Sequence, residues 1–266
     1  MIQIEKFART RTASNGEILD HHTSARVSRP TVVKLGGSLA ESKRLAQILE
    51  LVALARTPVV IVPGGGAFAE AVRRAQAEYG FSDASAHRMA LLAMHQTGLM
   101  MAALQPRLKP VETLAGLKRA ARSARIPVWL PLKLVERDGR IAADWSTTSD
   151  ALAARLAERL GRAPVVLVKS CRIPKGTSVA ALAREGVVDP TFAAIVDRAR
   201  LNWHVLGAGD EDVLAALLKV AGRASKPRGK RPRHAGRRAT AARAIGQHGS
   251  PGSRPKGRKP PNETRR

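Results

Sequence analysis

Between Thr31 and Val220, short runs of β-branched residues alternate with longer Ala- and Leu-rich segments at helical spacing. This alternation points to an α/β domain on a mainly parallel, open sheet. The expected strands are Thr31–Leu35, Pro58–Val62, Pro127–Leu132, Pro164–Lys169 and Trp203–Leu206. Most are continuous apolar runs, as strands covered by helices on both faces require. Proline opens three of them, where it removes no hydrogen bond from a strand interior. Leu45, Ile48, Leu49 and Val52 form one helical stripe, and residues 84–104 carry Met89, Leu92, Ala93, Gln96 and Met100 along another. A further helix is expected over Ala151–Leu160, begun by Ser149 or Asp150 and stopped at Gly161.

Two of the expected strands run into glycine. In Val32-Val33-Lys34-Leu35-Gly36-Gly37-Ser38 the bare backbone and the following helix N-terminus suit a phosphate, and Lys34 adds a full positive charge to a strand that would ordinarily avoid it. The second element, Val62-Pro63-Gly64-Gly65-Gly66-Ala67-Phe68-Ala69, also satisfies the dinucleotide pattern through Gly64, Gly66 and Ala69, with Asp83 near the spacing of a ribose-binding acid. That reading needs a second strand ending in the acid, whereas the residues after Phe81 continue as a helix, and it leaves Lys34 to Ser38 unexplained. Two glycine loops on neighbouring strands suit two phosphate-bearing ligands. The sequence holds no G-x-x-x-x-G-K-[ST] and no protein-kinase segments.

The run Asp144-Trp145-Ser146-Thr147-Thr148-Ser149-Asp150 leads into the Ala151–Leu160 helix. One hydroxyl would suffice as a cap; Thr148 and Ser149 beside a carboxylate could also hold an anionic substrate. Lys169 ends its strand much as Lys34 sits in the first. Parallel strands would bring both lysines to the carboxyl edge of the sheet, with Asp150 between them to hold their ammonium groups.

Charge needs its location before it has meaning. Residues 222–266 contain 15 Lys or Arg against one acid, Glu263, and so carry more than half of the net +25. With Ile245 as its only large aliphatic residue, this segment cannot bury enough surface to offset chain ordering and is expected to be a disordered basic tail. Lacking interleaved aromatics, it could contact nucleic acid or acidic partners only non-specifically. Residues 1–30 read as a polar extension without a secretory apolar run, and no stretch approaches a membrane span. Cys171, the single cysteine, fits a reducing, cytoplasmic setting.

Taken in order, Val32 to Ser38, Val62 to Ala67, Thr148-Ser149-Asp150 and the later strand-end lysine resemble the amino acid kinase family over about residues 31–220. The resemblance implies a three-layer α/β/α sandwich, ATP with Mg²⁺, in-line transfer of the γ-phosphoryl group to a small anionic molecule, and a homo-oligomer. By that likeness Lys34 would neutralise the transferring group, Gly36, Gly37 and Ser38 would contact donor phosphates, Gly64, Gly65 and Gly66 would receive the acceptor, and Asp150 would orient the lysines. No protein metal ligands are implied.

Many members carry an Asp-Gly pair and a Gly-Gly-Met motif with a following lysine; here Ser170 to Gly176 and Val187-Val188-Asp189-Pro190 stand instead. The second catalytic lysine is then Lys169, with Lys175 as the alternative. Within the family, Trp145 and the Ser82 to Gly98 stretch, with its Ala86-His87 and Ala93-Met94 pairs, are similar to the members that phosphorylate an aminomethylfuran methyl phosphate in methanofuran biosynthesis, which would put His87 in the acceptor pocket. Uridylate or acetylglutamate kinase chemistry, a non-catalytic nucleotide sensor or storage protein, and a polyanion binder are the competing expectations.

Overall fold

A computed structural model describes residues 29–221, so the basic tail and all but the last two residues of the polar extension lie outside the described residues. Among the described residues the chain runs β1 (Thr31–Leu35), a 3-10 turn (Gly37–Glu41), α1 (Arg44–Ala53), β2 (Val59–Pro63), α2 (Gly66–Tyr79), α3 (Asp83–Leu104), β3 (Leu108–Val111) and α4 (Leu114–Ala120). It continues through β4 (Ile126–Trp129), α5 (Leu132–Val135), α6 (Ser149–Arg159), β5 (Val165–Val168), α7 (Val179–Arg184), α8 (Pro190–Ala199), β6 (Trp203–Leu206) and α9 (Glu211–Leu217).

The six strands form one sheet in the order β3-β4-β2-β1-β5-β6, every pair parallel. Side-chain alternation sorts the apolar strand residues into two cores. Val32, Val60, Val62, Val165 and Leu167 pack with Leu152 and Leu156 of α6 and with Phe192 and Val196 of α8. Val33, Leu35, Ile61, Val166 and Val168 pack on the opposite face with Ile48 and Leu49 of α1 and Leu214 of α9. The result is the three-layer α/β/α sandwich expected above.

β1 and β5 lie side by side, and the chain leaves them in opposite directions, towards β2 and towards β6. Open parallel sheets form a ligand crevice at such a switch, beyond the carboxyl ends of the strands. Alternation puts Lys34 on the Val32 face of β1, under α6. The register Lys34↔Leu167 and Leu35↔Val168 puts Lys169, just past β5, at the same edge.

Two details differ from the sequence expectation and a third agrees with it. The strand β3 pairs with β4 although Lys109 and Pro110 give it the composition of a loop; as an edge strand it needs a partner on one side only. The α6 cap is Thr148, whose hydroxyl accepts from the Asp150 N–H, so the helix starts at Ser149, two residues before the expected Ala151. Asp83 opens α3 directly after α2, and with no strand between these helices the dinucleotide reading fails.

Candidate active site

The site is assembled by elements that meet at the β1–β5 switch. Asp150, in the first turn of α6, is 3 % exposed and reaches down to the sheet. One of its carboxylate oxygens lies 2.7 Å from the Lys34 ammonium, and the other accepts a hydrogen bond from Lys169. Burial pushes the Asp150 carboxyl upward, but the charges of Lys34 and Lys169 outweigh it and hold its pKa below the ordinary value. The pKa of Lys169 is lowered by burial and by repulsion from Lys34, against the pull of Asp150. Lys175, in contrast, is exposed in the segment between β5 and α7.

The two glycine loops touch each other. A Cβ on Gly37 would lie 2.2 Å from the Gly66 nitrogen, and one on Gly64 would lie 2.4 Å from the Gly37 nitrogen. Gly66 also adopts φ +54°. The amide of Gly36 donates to Val168 O at 3.0 Å and that of Gly64 to Leu35 O at 2.8 Å, which continues the sheet ladder and uses both N–H groups. The first N–H groups of α2, from Gly66 onward, have no intrahelical acceptor and remain available to an anion. Ser38 is exposed and its hydroxyl meets that of Ser170 at 2.8 Å, linking the ends of β1 and β5.

Beside these groups a cleft of about 490 Å³, open to solvent, is lined by Gly65, Arg73, His87, Trp145, Thr148 and Ser149 together with apolar side chains of α3 and α6. The Trp145 ring lies beneath the Arg73 guanidinium at 3.8 Å and donates its indole N–H to Gln76 at 2.6 Å, tying the loop before α6 to α2. The Thr148 hydroxyl is engaged twice, donating to Asp189 and accepting from Asp150 N–H. His87 Nδ1 lies 3.2 Å from the Asp144 carbonyl oxygen.

Asp189 is a residue whose place in the site the sequence did not give. One of its oxygens accepts from the amides of Thr148 and Ala151, on either side of Asp150, and the other accepts from Phe192 N–H as the cap of α8. Burial raises its carboxyl above the usual range, and nearby Asp150 adds to the rise. The Asp-Pro pair announces a helix start; the reach of the same carboxylate to α6 has no sequence signal.

The model of the Amino acid kinase family matches residues 29–171, from the approach to β1 to just beyond Lys169. The chain belongs to the amino acid kinase family. As a member it is a phosphotransferase. The chain is 27% identical over 200 residues to the [5-(aminomethyl)furan-3-yl]methyl phosphate kinase of Methanocaldococcus jannaschii, covering 71% of this kinase and 92% of the relative. Its fold is similar to that of the uridylate kinase from Archaeoglobus fulgidus, with a TM-score of 0.53 at 19% identity, over 71% of this chain and 95% of that one.

Proposed function

We propose that this kinase transfers the γ-phosphoryl group of ATP to a phosphomonoester, with [5-(aminomethyl)furan-3-yl]methyl phosphate as the acceptor and its diphosphate as the product, a step of methanofuran biosynthesis. The observation that carries the reading is a single buried carboxylate, Asp150, holding two ammonium groups at the carboxyl edge of β1 and β5, where the two glycine loops begin. The acceptor is taken from the relative of 27% identity.

The residues suit a polyphosphate. ATP supplies the transferable group, and Mg²⁺ on its phosphates neutralises part of their charge. Among the described residues no three His, Cys, Asp or Glu side chains gather as metal ligands, so the ion is assigned to phosphate oxygens and water, as Mg²⁺ commonly binds. Lys34 and Lys169 point two positive charges at the space where negative charge gathers during transfer, and Asp150 fixes them there. Gly36, Gly37, Ser38 and the segment carrying Lys175 form the donor side. Gly65, Gly66, Ser149 and the cleft with His87 form the acceptor side, Thr148 lines its wall, and Gly64 holds the loop against the Gly37 backbone. A phosphomonoester acceptor arrives as an anion, and its attacking oxygen needs no general base.

Release of ADP tests the reading, with the aminomethylfuran phosphate compared with UMP, acetylglutamate and isopentenyl phosphate, and the product weighed by mass spectrometry. Preferred turnover of the furan ester to a diphosphate is the expected result. Preference for another acceptor reassigns the substrate, and nucleotide binding without turnover of any acceptor would leave a sensor or storage role. We place the enzyme in the cytoplasm as a homo-oligomer, with residues 222–266 as an accessory polyanion contact.

A further inference from the structure

The cleft beside the glycine loops holds a buried group that phosphoryl transfer does not use. His87 lines it at 7 % exposure, and its Nε2 is buried with no hydrogen-bond partner among the described residues. Its other ring nitrogen, Nδ1, faces the Asp144 carbonyl oxygen at 3.2 Å. A carbonyl only accepts, so Nδ1 carries the proton of the neutral ring and Nε2 is left as an acceptor. A buried acceptor without a donor is unfavourable, which makes Nε2 a receiving point for a ligand N–H or O–H.

The position of His87 along α3 sets the size of that ligand. A Cβ on Gly65 would lie 3.7 Å from the Ala93 Cβ, so the start of α2 abuts Ala93. His87 is six residues earlier on the same helix, roughly 9 Å along its axis. The wall includes Leu91, Met94, Leu152 and Trp145. One end thus offers the free N–H groups of α2 to an anion, the wall offers apolar surface, and the far end offers a hydrogen-bond acceptor.

We propose that His87 determines acceptor specificity, selecting a phosphomonoester in which a small flat ring carries, opposite its phosphate arm, an amine or hydroxyl that donates to Nε2. This inference rests on the acceptor reading above and deepens it. A furan ring with a methyl phosphate on one side and an aminomethyl group on the other has the required parts; isopentenyl phosphate lacks both ring and donor.

The test is calorimetric titration of the full-length protein without nucleotide. The two probes are [5-(aminomethyl)furan-3-yl]methyl phosphate and its (5-methylfuran-3-yl)methyl phosphate analogue. Wild type is expected to bind the amine-bearing ester about 10- to 100-fold more tightly. In His87→Leu that ratio falls to near one while the affinity for the methyl analogue persists, and His87→Gln, whose amide oxygen accepts, recovers part of it. If His87→Leu does not fold, His87→Phe serves in its place.

Equal affinities in wild type, or a ratio that survives removal of the imidazole, overturns the proposal. ADP release is read separately. Preferential binding of the amine-bearing ester with no ADP release overturns the kinase assignment and upholds the role of His87. Turnover of both esters with equal affinity does the reverse.

Discussion

Asp150 faces two ammonium groups with one carboxylate, so removing either lysine leaves a balanced pair, whereas removing Asp150 leaves two uncompensated positive charges in a buried place. Asp150→Asn is expected to destabilise the fold by about 3–5 kcal/mol near neutral pH, because Lys34 and Lys169 then repel each other unopposed. The pKa of Asp150 in the fold lies below its ordinary value of 3.8. Its contribution is therefore complete above that value and lost as the pH falls through the depressed one. Urea denaturation of both proteins across this acid range should show the gap between them closing. Lys169 works in the other direction: its lowered pKa means that the ammonium is lost below the ordinary lysine value of 10.5. Turnover that needs this charge should fall on an alkaline limb below that value, and Lys169→Arg, which does not titrate there, should move the limb upward in a pH–kcat profile. Lys34→Ala should lower kcat by about 10³-fold or more with the circular dichroism spectrum retained. The lysine–aspartate–lysine group was legible in the sequence because each lysine ends or interrupts an apolar strand and Asp150 opens a helix. Asp189 was not, since its second role depends on two helix starts, at Thr148 and Pro190, meeting in space.

At the level of elements, the glycine loops serve two demands. The sequence pointed to phosphate contact; the structure adds that the turns after β1 and β2 pack backbone against backbone. Gly37→Ala would drive a methyl into the Gly66 backbone, and the loops must part to admit it. A loss of about 1–3 kcal/mol in chemical denaturation is expected, together with a fall in turnover, because the start of α2 moves with its loop. The latch between α2 and the loop before α6 is a separate element: Trp145→Phe keeps a ring beneath Arg73 but deletes the indole bond to Gln76. It should cost about 1 kcal/mol by thermal melting and raise KM for the acceptor more than for ATP. Central strands and long helices could be read from apolar runs and helical stripes. The short edge strand β3 could not, because Leu108-Lys109-Pro110-Val111 becomes a strand only through its pairing with β4.

Over the whole molecule, catalytic fold and excess charge separate along the chain. The family match spans 29–171 and the described fold 29–221, whereas more than half of the net +25 belongs to residues 222–266. A chain ending at residue 221 should therefore keep its turnover while its retention on heparin weakens and depends less steeply on salt. The order of the strands carries one more consequence, for how the protein is made. The β1 strand lies at the centre of the sheet with β5 as its neighbour, and Val32 pairs with Val165, 133 residues downstream. During synthesis at roughly 5–20 residues per second, the N-terminal strands wait for seconds with an apolar edge of β1 uncovered. The edge is closed by the same segment that delivers Lys169. A nascent chain stalled or cut before that segment emerges would carry an open edge and lack Lys169, so incomplete products are expected to aggregate and, on the role proposed for Lys169, to gain phosphoryl transfer only when the sheet is closed.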